Sequence, residues 1–205
     1  MRIEVIEPPG RADRHALLTQ AFALRHDTFV EDRGWEMLRR PDALDIDEHD
    51  FGAAIHFLAL EAERVVGYVR LVAGNRDMVA ARADPVRVRE TVGDVAVYTL
   101  SRFCVDRNSA ARKSMAGNLL VATLEYAEKH AVGALLLGTD SGLIFVLRSL
   151  GIRLQAAGAP VDVAGRTHQS VLLRLDATVL SAVRRNLSTW NRISNAEPAR
   201  VMPAM

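Results

Sequence analysis

Residues 97–106 read VYTLSRFCVD, a run whose Thr, Val, Tyr and Phe favour a pleated, half-buried strand but which carries Ser101 and Arg102 in its middle. A guanidinium inside such a strand has to meet an anion or water, because burying it alone is too costly. Outward from this strand the pattern alternates. SAARKSMAGNLLVATLEYAEKHAV follows as a helix with Leu119, Leu120, Thr123, Leu124 and Ala127 facing inward. GALLLGTD is then a buried strand, and SGLIFVLRSLG a helix stopped by Gly151. On the N-terminal side, AIHFLALE and RVVGYVRLVA are two strands that a turn at EAER joins into a hairpin. The start, MRIEVIEPPG, is a first strand, and Leu17, Leu18, Phe22, Leu24 and Phe29 mark a helix after it. RLQAAGAPVDVAG and RTHQSVLLRLD supply late strands or turns, and ATVLSAVRRNLSTWNRIS closes as an amphipathic helix. Residues 196–205 read as a frayed tail. Strands on one sheet with helices packed over it make a three-layer α/β fold.

Two segments lack a sustained period. Residues 74–93 are charged and read as loop and short helix. Residues 31–52, EDRGWEMLRRPDALDIDEHDFG, form a long polar connection, and such loops in compact domains are often functional. The chain has 205 residues, long enough for one domain with a substantial core. Its 26 Lys and Arg against 25 Asp and Glu argue neither for nor against nucleic acid, and no nucleic-acid partner is expected. The single cysteine, Cys104, excludes an intrachain disulfide and a multi-cysteine metal site. No apolar run reaches the roughly 18 residues of a membrane span, and the first strand is not a signal peptide, so a cytoplasmic protein is expected.

Asp45, Asp47, Glu48 and Asp50 crowd four carboxylates into the polar connection. A solvated acidic loop is the bland reading, and the glycine and terminal glutamate of an EF-hand are misplaced. The functional reading turns Asp47 and Asp50 inward toward cations. Arg25, Arg70 and Arg102, each embedded in apolar sequence, are the candidates; three buried arginines and an acidic loop make mutual partners. Trp35 is either a core plug or a flat wall for an adenine or a sulfonium, whose charge an aromatic face attracts. His26, His49, His56, His130 and His168 show no metal-ligand spacing and read as ordinary histidines, and no metal is expected. RKSMAGNLL, which opens the helix after the central strand, is a weak version of the R/Q-x-x-G-x-G/A pyrophosphate loop of GNAT-type acyltransferases. Met115 stands at its first glycine and Gly117 at its second.

Taken together these residues resemble the acyl-homoserine-lactone synthases, the autoinducer synthases of bacterial quorum sensing. The similarity runs from LRHDTFVEDRGWE through DIDEHDF, VVGYVRLV and LSRFCVD to LRSLGIRLQAAGAPVDVAG. The family's N-terminal pattern falls on Arg25, Phe29, Trp35, Asp45, Asp47 and Asp50, its strand arginine on Arg70, and its serine-arginine pair on Ser101 and Arg102. The resemblance implies a GNAT-like three-layer α/β/α sandwich with a central mixed sheet, as one domain over 1–205. Residues 1–52 would hold S-adenosyl-L-methionine, with Arg102 and Phe103, and residues 53–195 the acyl chain and its carrier. It further implies no cofactor, with S-adenosyl-L-methionine as a substrate beside acyl-CoA or an acyl carrier protein. Thr139, Arg148 and Arg153 are the acyl- and carrier-side candidates. The methionine amine would attack the acyl thioester, and the carboxylate would displace the sulfonium at the γ-carbon to release 5′-methylthioadenosine. Arg102 would tie the acidic loop to the substrate region.

One departure stands in the central strand. The family usually has a glutamate two residues before the serine, and Thr99 is there instead. A threonine is no general base near neutral pH, so the amine's proton is expected to pass to water ordered by Thr99, or to Asp47. Asp45 also replaces the more usual, longer glutamate. A GNAT-like acyltransferase for another amine, or a weakly active homologue that binds S-adenosylmethionine or an acyl carrier, are the alternatives left open.

Overall fold

The computed structural model describes residues 2–8, 14–74 and 82–195. An eight-stranded mixed sheet runs through it in the order β1-β2-β3-β4-β5-β8-β6, with β7 paired to β8. The strands are β1 (Arg2–Ile6), β2 (Ile55–Glu61), β3 (Arg64–Ala73), β4 (Val97–Val105), β5 (Ala134–Asp140), β6 (Gln155–Ala156), β7 (Val161–Val163) and β8 (Arg166–Arg174). The helices are α1 (His15–His26), α2 (Pro85–Val92), α3 (Arg112–Lys129), α4 (Ser141–Ser149) and α5 (Val179–Asn195). Each expected element within the described residues is present; the frayed tail at 196–205 lies outside them.

The alternation of apolar residues along the strands divides the core between two faces. Leu71, Leu100, Leu135 and Leu137 pack on one side with Met115, Leu119 and Leu124 of α3, Leu147 of α4 and Val183 and Leu187 of α5. Leu58 and Tyr68 pack on the other with Leu17 and Ala21 of α1 and with Trp35, while Leu136 and Leu172 meet Val92 of α2. That arrangement is the expected three-layer sandwich. Gly117 of α3 owes its identity to this packing: a Cβ there would overlap the side chain of Leu187 on α5. The anion-loop expectation for that glycine is therefore matched by a plain structural reason, close helix–helix approach.

β4 is the hinge of the sheet. It pairs with β5 in parallel only from Val97↔Ala134 to Leu100↔Leu137. Beyond that point β4 runs on with β3 to Val105, while β5 runs on with β8 to Asp140. The two strands part, and a cleft opens between them.

Candidate functional site

The cleft begins where β4 breaks its own alternation. Between Tyr68↔Cys104 and Arg70↔Ser101 the register shifts, so that β3 advances two residues while β4 advances three. The extra residue is Arg102, whose φ of 56° lies in the left-handed region that L side chains rarely adopt. Such a bulge re-aims side chains. Leu100 packs toward α3, Ser101 meets Arg70, and Arg102, which simple alternation would send back toward α3, turns to the same side as Ser101. The guanidinium that looked misplaced in a strand is thereby delivered to the acidic loop.

There it completes a ring. Arg25 donates from Nε to Asp45 Oδ2 at 3.1 Å and from Nη1 to Asp50 Oδ1 at 2.6 Å. Arg70 donates from Nη1 to Asp50 Oδ1 at 2.7 Å and to Asp47 Oδ1 at 2.6 Å, and from Nη2 to Asp47 Oδ2 at 3.0 Å. Arg102 donates from Nη2 to Asp47 Oδ2 at 3.2 Å and from Nε to Asp45 Oδ2 at 2.7 Å. Six charged groups thus alternate in a closed circuit, Arg25–Asp45–Arg102–Asp47–Arg70–Asp50, and each carboxylate holds two guanidinium groups. Formal charge cancels within it, which lets Arg25, Arg70 and Asp50 have fully buried side chains. Glu48, the fourth acid of the cluster, points to solvent with its side chain 80% exposed.

Local structure holds each member. The Asp45 amide donates to Phe22 O on α1, and the Asp47 amide donates to Asp50 Oδ2, which closes the turn. The guanidinium of Arg25 lies 5.1 Å from the Phe22 ring centre and 5.3 Å from that of Tyr68. His56 Nε2 donates to the Asp50 carbonyl at 3.1 Å, leaving Nδ1 to accept from the Tyr68 hydroxyl at 2.7 Å. Burial pushes the His56 imidazole down to about 4, so it is neutral in the folded protein. Burial alone would raise the carboxyl of Asp47, but the hydrogen bonds and charge of Arg70, with Arg102 and Arg25 behind, drive it far below the usual carboxylate range. Asp45 is lowered in the same way, by Arg25 and Arg102 against its burial.

The first helix reaches Phe29 as expected and runs on through Glu31 and Asp32, the start of the polar connection. α1 continues as a π-type turn over Asp27–Asp32 before Gly34 ends it at φ 71°. The wider turn sets Phe29 over Trp35, ring centres 5.2 Å apart. Arg102 lies 5.7 Å and Arg33 5.4 Å from the Phe29 ring centre. Phe29, Arg33, Trp35, Ser101, Arg102, Phe103, Gly138, Thr139, Leu143 and His168 form the cleft wall between β4 and β5. An apolar cavity adjoins it through Arg33, Phe103 and Leu143, lined further by Leu120, Val146, Leu147, Leu150 and Leu187.

The structure brings most expected site residues together and separates a few. Arg25, Asp45, Asp47, Asp50, Arg70, Ser101 and Arg102 meet in or beside the ring, and Phe29, Trp35, Phe103 and Thr139 line the cleft. Thr99 is buried in β4, where its hydroxyl donates to the Gly74 carbonyl; it does not line the cleft, against the expectation of water ordered there. Arg148 and Arg153 are exposed and lie outside both cavities. Cys104 is buried, and burial pushes its thiol up to about 12, which removes it as a nucleophile. Arg33 and His168 line the cleft without having been expected there. His168 sits in RTHQSVLL, where its alternation with Ser170 and Leu172 is the sole sign that it faces inward.

Comparison with known proteins gives the same direction. Over 108 residues the chain is 40% identical to the isovaleryl-homoserine lactone synthase of Bradyrhizobium diazoefficiens, a match that spans 52% of this chain and about half (49%) of that relative. The fold superposes with a TM-score of 0.77 on a CoA-dependent acyl-homoserine lactone synthase, BjaI, whose structure contains SAM and isopentyl-CoA; it is 25% identical over 91% of this chain and 89% of that one. An acyl-CoA N-acyltransferase from Pseudomonas aeruginosa shares the fold at a TM-score of 0.58 and 15% identity, covering 83% of this chain and 97% of that one. The autoinducer synthase family profile matches residues 11–183, most of the chain, and the protein belongs to that family.

Proposed function

We propose that this chain is an N-acyl-L-homoserine lactone synthase that takes a short branched acyl group from coenzyme A. The observation that carries the reading is the closed arginine–aspartate ring, set by the Arg102 bulge where β4 leaves β5. A charge-balanced ring binds no small ion strongly; what it supplies is a rigid floor. It fixes Ser101, Arg102 and the Phe29–Trp35 wall against one side of the cleft, while the adjoining apolar cavity offers room for an acyl chain. In this reading residues 1–52 contribute most of the S-adenosyl-L-methionine side, and β4, β5 and α4 contribute the acyl side.

The chemistry follows from that placement. The sulfonium rests against the faces of Phe29 and Trp35, whose ring quadrupoles attract its charge. The methionine amine attacks the thioester carbonyl carbon, the C–S bond breaks, and the thiol of coenzyme A leaves. Backbone N–H groups on the side of β4 that β5 no longer covers stabilise the tetrahedral oxyanion. The substrate carboxylate then displaces the sulfonium at the γ-carbon, closing the lactone and releasing 5′-methylthioadenosine. Both substrates are metabolites of the cytoplasm, where the reading places the protein. A coenzyme A donor is supported by the CoA-dependent synthase BjaI, whose fold this chain shares. Thiol release measured with isovaleryl-CoA, straight-chain acyl-CoA and acylated carrier protein tests this: isovaleryl-CoA should have the highest kcat/KM. A preference for the carrier protein would overturn the donor assignment.

A further inference from the structure

Two buried polar atoms at the cleft have no hydrogen-bond partner among the described residues: Trp35 Nε1 and His168 Nε2. Buried polar groups are nearly always paired, so orphans on two residues that line a cleft point to a ligand. His168 is 1% exposed, and its ring centre lies 5.5 Å from that of Trp35 in an edge-on arrangement. Its Nδ1 lies 2.9 Å from the Arg166 carbonyl. A carbonyl only accepts, so Nδ1 carries the hydrogen and Nε2 keeps a free lone pair in the neutral ring.

The proposed reaction needs such a lone pair. The α-ammonium of S-adenosyl-L-methionine has to lose a proton before its nitrogen can attack. Asp45, Asp47 and Asp50 each already hold two guanidinium groups, and Thr99 is turned to Gly74. The remaining charged groups of the cleft wall, Arg33 and Arg102, are cations. Asp140, opposite His168 on β5, engages Arg33 at 3.5 Å and accepts from the Leu143 amide at the start of α4; β7 opposes His168 with Val161. Imidazole is thus the one side-chain type in the wall that can take up a proton near neutral pH.

We propose that His168 is a catalytic residue whose Nε2 accepts a hydrogen bond, and then the proton, from the α-ammonium of S-adenosyl-L-methionine. The transfer leaves a free amine and an imidazolium. After attack the nitrogen gives up a second proton, which neutralises the departing thiolate, and the imidazolium returns the first to solvent. The inference rests on the synthase reading.

His168→Asn tests it, because the Asn amide can still donate to the Arg166 carbonyl while Nε2 is lost. At pH 7 kcat/KM for acyl transfer should fall about 10²-fold or more, with a much smaller change in the S-adenosyl-L-methionine dissociation constant. The pH profiles of the wild type and the variant should differ, the variant's following the ionisation of the amine alone. A folded His168→Asn protein with the parent's rate and pH profile overturns the assignment. Should the variant not fold, nitrogen NMR of the histidine-labelled wild type decides: the His168 Nε2 resonance should move on adding S-adenosyl-L-methionine, and an unmoved one overturns the proposal. A wild type that releases no coenzyme A would sink the synthase reading instead, and the titration would still report whether His168 meets the ligand.

Discussion

Removing Arg102 opens the ring at a known place. Asp45 would keep only Arg25, and Asp47 would keep Arg70 with the more distant Nη2 of Arg25 at 4.0 Å, so two guanidinium groups and three carboxylates would remain where charges had balanced. The Arg102 side chain is 6% exposed and that of Asp45 2%, so solvent can do little to compensate. Breaking a buried pair from one side costs about 3–5 kcal/mol. The bulge offsets a little of this, because relieving a left-handed non-glycine residue returns roughly 1 kcal/mol only if the replacement can leave that conformation. Arg102→Ala should therefore lose about 3 kcal/mol, a large share of an ordinary domain's stability of roughly 5–15 kcal/mol. Urea unfolding at pH 7 reads this as a lower midpoint with an unchanged slope. Adding Asp45→Asn restores the charge balance and should recover part of the loss, while lactone synthesis stays absent. If Arg102→Ala unfolds at the parent's midpoint, or if Asp45→Asn makes it less stable still, the ring is not what holds this face together.

Three further outcomes follow from the same geometry. Because His56 is held neutral down to about pH 4 while an unfolded histidine titrates near about 6.5, the unfolded state binds the extra proton between those values; stability should rise with pH there, and His56→Gln should flatten the urea midpoint over that window. The depressed carboxyls of Asp45 and Asp47 act in the same direction at lower pH, their contribution being present above about pH 4 and lost as acid reaches their folded values, so Asp47→Asn should reduce the acid sensitivity of the midpoint. Gly117→Ala should destabilise by about 1–3 kcal/mol in thermal melts, since the added methyl meets Leu187, and because both residues line the apolar cavity it should also weaken the affinity for coenzyme A thioesters.

Much of the architecture was legible because helix and strand periods differ and the chain keeps to them. α3 shows its inner face in Leu119, Leu120, Thr123, Leu124 and Ala127, all buried as the spacing requires. The ring was partly legible as well: three arginines in apolar sequence need anions, and the acidic loop was the available source. Its closed form was not, because that depends on one extra residue in β4, and a bulge at Arg102 leaves no mark in composition. The first helix was legible as far as Phe29, but its change to a π-type turn at Asp27–Asp32 was not, because one wider turn barely alters the apolar spacing. His168 was passed over because a lone histidine in a strand carries no spacing signal; only the parting of β4 from β5 shows what it faces.

The central claim is that one cleft carries out both acylation and ring closure. Incubating the purified protein with S-adenosyl-L-methionine and isovaleryl-CoA, and quantifying products by mass spectrometry, tests it most directly. Equal amounts of N-isovaleryl homoserine lactone, 5′-methylthioadenosine and free coenzyme A are the expected result. Coenzyme A release with an acylated product that still bears its sulfonium, or with no homoserine lactone at all, would contradict it.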